Sequence, residues 1–248
     1  MIRVCLAGAT GWAGSELARA IARESDLTLV AAVSRSHAGD KLADVLDDPS
    51  LSAPIYGTAE DALKHRCDVF VEYTLPEVAK ANILAALSAG AHVVVGTSGL
   101  SDGEYAEIEA MAQRQSRAVL ACGNFALTAV LLQRFAAMAA KLISQWEIID
   151  YADAAKLDAP SGTVHELAMR LARLGAPPTG SDSRIHSVRL PGYVISAEIV
   201  FGMPDQRLSI RHDAGNSARP YVDGALLAIR KVGSLNGLHR GLDTVLDL

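Results

Sequence analysis

The chain is poor in cysteine, has no excess of basic charge and contains no long apolar run, and each absence removes a class of function. Its three cysteines, Cys5, Cys67 and Cys122, are odd in number and each sits in or beside an apolar stretch. That pattern predicts reduced core residues and excludes a disulfide framework. Lys and Arg total 23 against 28 Asp and Glu, a net charge of −5, and no basic cluster offsets the deficit. A general nucleic-acid binder is therefore not expected. No apolar run approaches the roughly 20 residues needed to cross a bilayer. The chain opens directly on a strand-like run from Ile2 to Leu6, without a basic and apolar signal segment, so no membrane association and a cytoplasmic location are expected. No His, Cys, Asp and Glu spacing matches a metal site, and no metal is predicted.

What remains is ordinary globular material. In 248 residues, 50% hydrophobic and 21% charged, there is enough apolar surface for one large or two modest domains. Ile2–Ala7 is β-prone and apolar, and it runs into Gly8-Ala9-Thr10-Gly11-Trp12-Ala13-Gly14 before an amphipathic pattern of Leu17, Ala18 and Ile21. Strand, glycine turn and helix in that order form a variant of the dinucleotide fingerprint. Gly8 makes the tight turn, Gly11 admits a pyrophosphate to the backbone and Gly14 lets the helix pack closely. Thr10 and Trp12 lie in the same turn. The second strand, Leu27–Val33, ends in Ser34-Arg35-Ser36-His37, where an acid would normally receive the ribose hydroxyls of NAD. No acid is there. Arg35 with its flanking serines suits a 2′-phosphate instead, which predicts NADPH as the preferred cofactor, with NADH possible.

Strands and helices then alternate. Cys67–Tyr73, Ala91–Val95 and Ala118–Ala121 read as buried strands, with helices at Glu77–Ser88 and about Asp102–Gln115, so a doubly wound parallel sheet is predicted. In such a sheet ligands bind beyond the carboxyl ends of the strands. The turn at Gly8–Gly14, Arg35, Tyr73–Pro76 and Gly96–Gly99 all fall there.

After Gly123-Asn124-Phe125 the pattern changes to a long apolar helix, Leu127–Leu142, a strand, Gln145–Tyr151, and later alternating runs at Ile185–Leu190, Tyr193–Phe201 and Arg207–His212. A second domain with a largely antiparallel sheet is expected, giving boundaries of 1–123 plus 220–248 and 124–219. Two closing helices, Pro220–Val232 and Leu238–Leu248, are expected to return to the first domain. Between strand and helix lies Lys156-Leu157-Asp158-Ala159-Pro160-Ser161-Gly162-Thr163. Ser161, Gly162 and Thr163 open a helix whose first N–H groups lack intrahelical acceptors, and Lys156 adds a positive charge, so the stretch predicts a carboxylate-binding loop. The plainer alternative is a Ser/Thr cap beside a surface lysine.

Taken in order, the glycine turn, Tyr73-Thr74-Leu75-Pro76, Gly96-Thr97-Ser98-Gly99, Gly123-Asn124-Phe125 and Lys156–Thr163 resemble the dihydrodipicolinate reductases, also called 4-hydroxy-tetrahydrodipicolinate reductases, over nearly the whole chain. The resemblance implies a Rossmann-type α/β domain with a second α+β domain on a mixed or antiparallel sheet. It also implies a homotetramer, NAD(P)H as cofactor, and a role in diaminopimelate and lysine biosynthesis. By the same matching Gly8, Thr10, Gly11, Trp12, Ser34, Arg35, Tyr73, Thr74, Gly96, Thr97, Asn124 and Phe125 are cofactor positions. Lys156, Ser161, Gly162 and Thr163 are positions for a substrate carboxylate.

The departures are local. The family places Glu-x-His-His-x-x-Lys before the loop, its first histidine being the proton donor; here the run is Asp150-Tyr151-Ala152-Asp153-Ala154-Ala155-Lys156. Ala152 cannot transfer a proton. A positioned general acid contributes about 10²–10⁴-fold, so another group must serve or the substrate must arrive protonated. Lys156 is the first candidate for that catalytic role, with Asp153 and Tyr151 behind it. Three readings follow: a reductase of the family type with an altered acid, a divergent reductase of another cyclic imine or iminium carboxylate, and a non-catalytic nucleotide-binding relative.

Overall fold

The computed structural model describes residues 1–174 and 184–246, in two units, Met1–Phe125 with Tyr221–Leu248 and Ala126–Pro220. The first unit is built on β1 (Ile2–Ala7), β2 (Leu27–Val33), β3 (Ile55–Tyr56), β4 (Val69–Glu72), β5 (His92–Val95) and β6 (Ala118–Ala121), joined by α1 (Trp12–Arg23), α2 (Leu42–Leu46), α3 (Ala59–Ala62), α4 (Pro76–Ser88) and α5 (Asp102–Gln115). Val4–Ala7, Phe70, Val71, Val93–Val95 and Ala118–Leu120 are buried. Such unbroken apolar runs suit strands covered on both faces, which parallel sheets require. Helix α1 turns Leu17, Ala18 and Ile21 inward, the three- and four-residue spacing of one helical face. Helix α5 starts at a reciprocal capping box between Ser101 and Glu104, and α4 starts with Pro76, whose missing N–H costs nothing in a first turn.

All strands of this sheet are parallel, in the order β3, β2, β1, β4, β5, β6 and a seventh strand beyond β6. The chain works outward from β1 to β3 and then crosses to β4, so strand order reverses between β1 and β4. That reversal opens the crevice where ligands of doubly wound sheets bind, at the ends of β1 and β4.

The second unit comprises α6 (Leu127–Ala140), β7 (Trp146–Ala152), α7 (Gly162–Ala172), β8 (Ile185–Arg189), β9 (Ile195–Met203) and β10 (Gln206–Ala214). Its sheet runs β10, β9, β7, β8 and is mixed: β7 and β8 are parallel because α7 stands between them as a crossover, while β9 pairs antiparallel with both β7 and β10. Leu132 and Ala136 of α6 and Val164, Leu167 and Leu171 of α7 pack on Trp146, Ile148, Ala197, Ile199 and Phe201 from one face of the sheet.

The chain ends with α8 (Val222–Lys231) and β11 (Gly237–Arg240), both in the first unit. Here the sequence reading fails: of the helix expected over Leu238–Leu248, residues 238–246 form no α-helix, and residues 247–248 lie outside those described. β11 pairs in parallel with β6, Leu238 opposite Val119, and a short 3₁₀ turn over Leu242–Val245 follows. Gly237 and Gly241 sit at φ +76° and +96°, a backbone that no α-helix continues, and the open edge of β6 takes the segment as a strand. Among the described residues no helix is long and apolar enough to cross a membrane. No group of three or more His, Cys, Asp and Glu residues among them could hold a metal ion. All three cysteines are buried and none is in a disulfide among the described residues.

Candidate active site

In the first unit the chemistry-bearing loops follow β1, β2, β4, β5 and β6, which are parallel neighbours and so deliver them to one edge of the sheet. Gly8 follows β1 at φ +81°, and its N–H donates to Val33 O at 2.9 Å while its carbonyl accepts from Gly11 N at 3.0 Å. A Cβ on Gly8 would stand 2.3 Å from the Tyr73 carbonyl oxygen, and one on Gly14 would stand 2.0 Å from the Gly8 carbonyl oxygen. The turn therefore exists only with glycine at both places. Gly11 is the N-cap of α1 and no side chain caps it, which leaves the first N–H groups of that helix without a side-chain acceptor. A cradle that side chains would fill, opening onto a helix N-terminus, fits a dinucleotide pyrophosphate.

Thr10 and Ser34 share a hydrogen bond at 2.8 Å, and Ser34 reaches Ser36 at 3.3 Å, so hydroxyls link the first turn to the second. Arg35 is exposed beside them and makes no hydrogen bond or ion pair with the described residues. Trp12 is 59% exposed and meets the edge of Tyr221, 5.9 Å between ring centres.

Glu72, fully buried at the end of β4, organises the next two loops. Its carboxylate accepts from Thr74 N at 2.7 Å, from the Thr74 hydroxyl and from Asn82 Nδ2 at 2.9 Å, and the Thr97 hydroxyl lies 3.3 Å away. Burial raises its pKa above the ordinary glutamate value, opposed by those hydrogen bonds. The Tyr73 ring covers Gly96, where a Cβ would stand 1.7 Å from the ring, and meets Phe125 edge-on at 5.8 Å. Its buried hydroxyl has no partner among the described residues, and burial pushes its pKa upward. Tyr73, Thr74, Gly96, Thr97 and Phe125 thus form one packed group, and Asn124 precedes Phe125 at the end of the β6 loop.

In the second unit Ser161 is the N-cap of α7, but its groups are already used. Ser161 N and Oγ each donate to the Asp150 carboxylate at 2.7 Å, and Ser161 is 4% exposed. Gly162 and Thr163 carry the next N–H groups of the first turn. Lys156 forms an ion pair with Asp158, Nζ to Oδ1 2.7 Å, and that partner lowers the Asp158 pKa. Asp153 spends its carboxylate on Ala155 N at 2.9 Å in a tight turn. Ala152 is fully buried on β7. His212 is buried on β10, bonded to the Thr128 hydroxyl at 2.9 Å, and burial lowers its pKa.

Reading the sequence missed Asp150. The signal was present: Trp146, Ile148, Asp150 and Ala152 are the inward positions of β7, so the alternation places one acid on an apolar face. Glu72 was missed in the same way, as the last residue of a buried strand.

Both halves of the chain match family models, residues 2–125 to "Dihydrodipicolinate reductase, N-terminus" and residues 128–246 to "Dihydrodipicolinate reductase, C-terminus". The 4-hydroxy-tetrahydrodipicolinate reductase of Bacillus pumilus (strain SAFR-032) is 36% identical over 264 residues, covering 99% of this chain and 98% of that one. The enzyme of the same name from Thermosynechococcus vestitus is 35% identical over 268 residues, covering 99% and 97%. Among solved structures, the dipicolinate-bound dihydrodipicolinate reductase from Paenisporosarcina sp. TG-14 superposes with a TM-score of 0.86 at 29% identity, covering 99% of this chain and 100% of that one. An amine dehydrogenase from Mycobacterium smegmatis, at TM-score 0.74 and 12% identity with 100% and 96% covered, shares the fold alone. With a strand, glycine turn and helix opening a parallel sheet and end-to-end matches of this kind, the chain belongs to the dihydrodipicolinate reductase family and is an NAD(P)H-dependent reductase of that type.

Proposed function

We propose that the protein reduces a cyclic, unsaturated or imine carboxylate with NADPH in preference to NADH, in the cytoplasm and in diaminopimelate and lysine biosynthesis. Gly8, Thr10, Gly11, Trp12, Ser34, Arg35, Tyr73, Thr74, Gly96, Thr97, Asn124 and Phe125 are the residues assigned to the cofactor. The dihydronicotinamide supplies the hydride. Arg35, with no acidic partner among the described residues and a serine on either side in the sequence, is suited to a 2′-phosphate. The observation that carries the substrate class is the start of α7, where Ser161 is the N-cap and Gly162 and Thr163 form the first turn at the end of the loop that carries the Lys156 ammonium. Backbone N–H groups at a helix N-terminus with a neighbouring cation form a carboxylate site.

Lys156 is also the better proton carrier of the two catalytic candidates, because its ammonium is a donor while the Asp153 carboxylate is occupied in its turn. Exchange of the Asp158 carboxylate for a substrate carboxylate would leave the Lys156 charge paired throughout. The family homotetramer is retained in this reading. The face of the four-stranded sheet turned away from α6 and α7 carries Ile149, Tyr151 and Val200, half-buried, and is the surface such an assembly would cover.

Lys156→Ala is the direct test. Loss of a charge-assisted hydrogen bond should raise KM for the carboxylate substrate by roughly 10- to 100-fold with NADPH affinity unaltered. An unchanged KM in an active variant would place the anion elsewhere. Ala152 favours a second reading, in which the substrate is an iminium that needs hydride but no acid. Faster turnover of a simple cyclic iminium carboxylate than of dihydrodipicolinate would select it.

A further inference from the structure

We propose that the pair of buried Asp150 and partly buried Arg189 is a latch that fixes the Lys156–Thr163 loop and the start of α7, making both side chains positioning residues for the substrate carboxylate. The inference rests on the assignment of that loop to the carboxylate, and it concerns what holds the loop in place.

The Asp150 carboxylate is fully buried on a strand face whose other inward residues, Trp146, Ile148 and Ala152, are apolar. A buried ion pair is a poor device for stability. Desolvation costs several kcal/mol per ion, and well-packed apolar residues of the same volume often do as well or better. The geometry gives the pair another task. Oδ1 accepts from Ser161 Oγ at 2.7 Å, and Oδ2 accepts from Ser161 N at 2.7 Å and from Arg189 Nη2 at 2.7 Å, with Ser187 Oγ 3.5 Å away. Arg189 in turn donates from Nη2 to the Asp158 carbonyl at 2.6 Å and from Nη1 to the Asp150 and Val188 carbonyls at 3.2 and 3.0 Å.

Two points of one loop, Asp158 and Ser161, are thereby tied to a single carboxylate–guanidinium pair anchored on adjacent parallel strands β7 and β8. Asp158 passes the restraint to Lys156 through its own ion pair. Ser161, which would otherwise cap α7, is held by Asp150 instead. The first turn of α7 after Ser161 is therefore held in a frame that cannot rotate without breaking Asp150 contacts. Because Asp150 and Arg189 neutralise one another, the Lys156 charge is not drawn inward to the buried acid. Misplacement of a binding group by about 1 Å can cost on the order of 10²-fold in rate, which is the scale on which such a latch acts.

The test uses the full chain and four variants, Ser161→Ala, Ser161→Thr, Asp150→Asn and Arg189→Lys. Steady-state KM and kcat with dihydrodipicolinate, affinity for pyridine-2,6-dicarboxylate, NADPH affinity and Tm are measured for each. Ser161→Ala, Asp150→Asn and Arg189→Lys should raise KM and weaken pyridine-2,6-dicarboxylate by about 10-fold or more, with NADPH affinity held within about twofold. Ser161→Thr keeps both donors and should restore the wild-type values. Should Asp150→Asn fail to fold, Ser161→Ala decides, since it removes one donor and no charge. If folded Ser161→Ala lowers Tm but leaves KM and pyridine-2,6-dicarboxylate affinity unchanged while Lys156→Ala weakens both, the network is only structural and the latch is overturned. If Lys156→Ala also changes neither, the carboxylate assignment itself falls.

Discussion

Gly14→Ala puts one methyl group where the dinucleotide turn has no room. Its Cβ would lie 2.0 Å from the Gly8 carbonyl oxygen, 2.8 Å from the Gly8 carbonyl carbon and 3.1 Å from Ala9 Cα. Ordinary contact begins at 3.4 Å, so the nearest pair must separate by 3.4 − 2.0 = 1.4 Å. All three are backbone atoms of a turn pinned by Gly8 N to Val33 O and Gly11 N to Gly8 O. No rotamer change relieves the clash, and α1 must withdraw from the turn. Overpacking of this kind costs about 1–3 kcal/mol, and at about 2–4 °C per kcal/mol for a chain of this size the expected fall in Tm is roughly 2–12 °C. The same withdrawal moves the α1 N-terminus off the pyrophosphate, and NADPH should bind about 10- to 100-fold more weakly by nicotinamide fluorescence titration. Gly162→Ala is the control, because its Cβ would meet nothing within 4 Å, and it should fold as the wild type does. A Gly14→Ala protein with wild-type Tm and NADPH affinity within about twofold would refute the close-approach argument.

Arg35→Ala should cut the ratio of kcat/KM for NADPH over NADH by about 10-fold, chiefly through NADPH; a ratio that does not move removes Arg35 from the 2′-phosphate. Glu72→Gln probes the buried acid at the end of β4. Burial raises the folded pKa of Glu72 above its ordinary 4.5, so the protonated form favours folding: that contribution is complete below the unfolded value and is lost as pH rises through the folded one. The urea midpoint of the wild type relative to Glu72→Gln should therefore fall as pH rises above the ordinary glutamate value of 4.5. A difference that is flat or rises with pH would contradict the sign.

The first unit was readable because its determinants are local. A glycine turn between a buried strand and an amphipathic helix is a property of some twenty contiguous residues, about the span of one strand–turn–helix unit, and the strand–helix alternation after it leaves little choice of topology. The closing segment was not readable. Leu238–Leu248 has the apolar content of a helix, and only the open edge of β6, with glycines at positive φ on either side, makes part of it a strand. In the second unit the parallel pairing of β7 with β8 depends on α7 crossing between them, which no alternation within either strand records.

The sequence by itself determined the glycine turn, the Lys156–Thr163 loop and the alternation of the sheet, since each is written in neighbouring residues and acts through backbone geometry over a few positions. The tertiary structure decided which polar groups in that loop remain available. Ser161 reads as a ligand for an anion, yet Asp150, eleven residues earlier, takes both of its donors. Arg189, thirty-one residues beyond Asp158, holds the loop from the neighbouring strand. A buried charge must find its partners wherever the fold brings them, and that pairing across strands is invisible in the order of the residues.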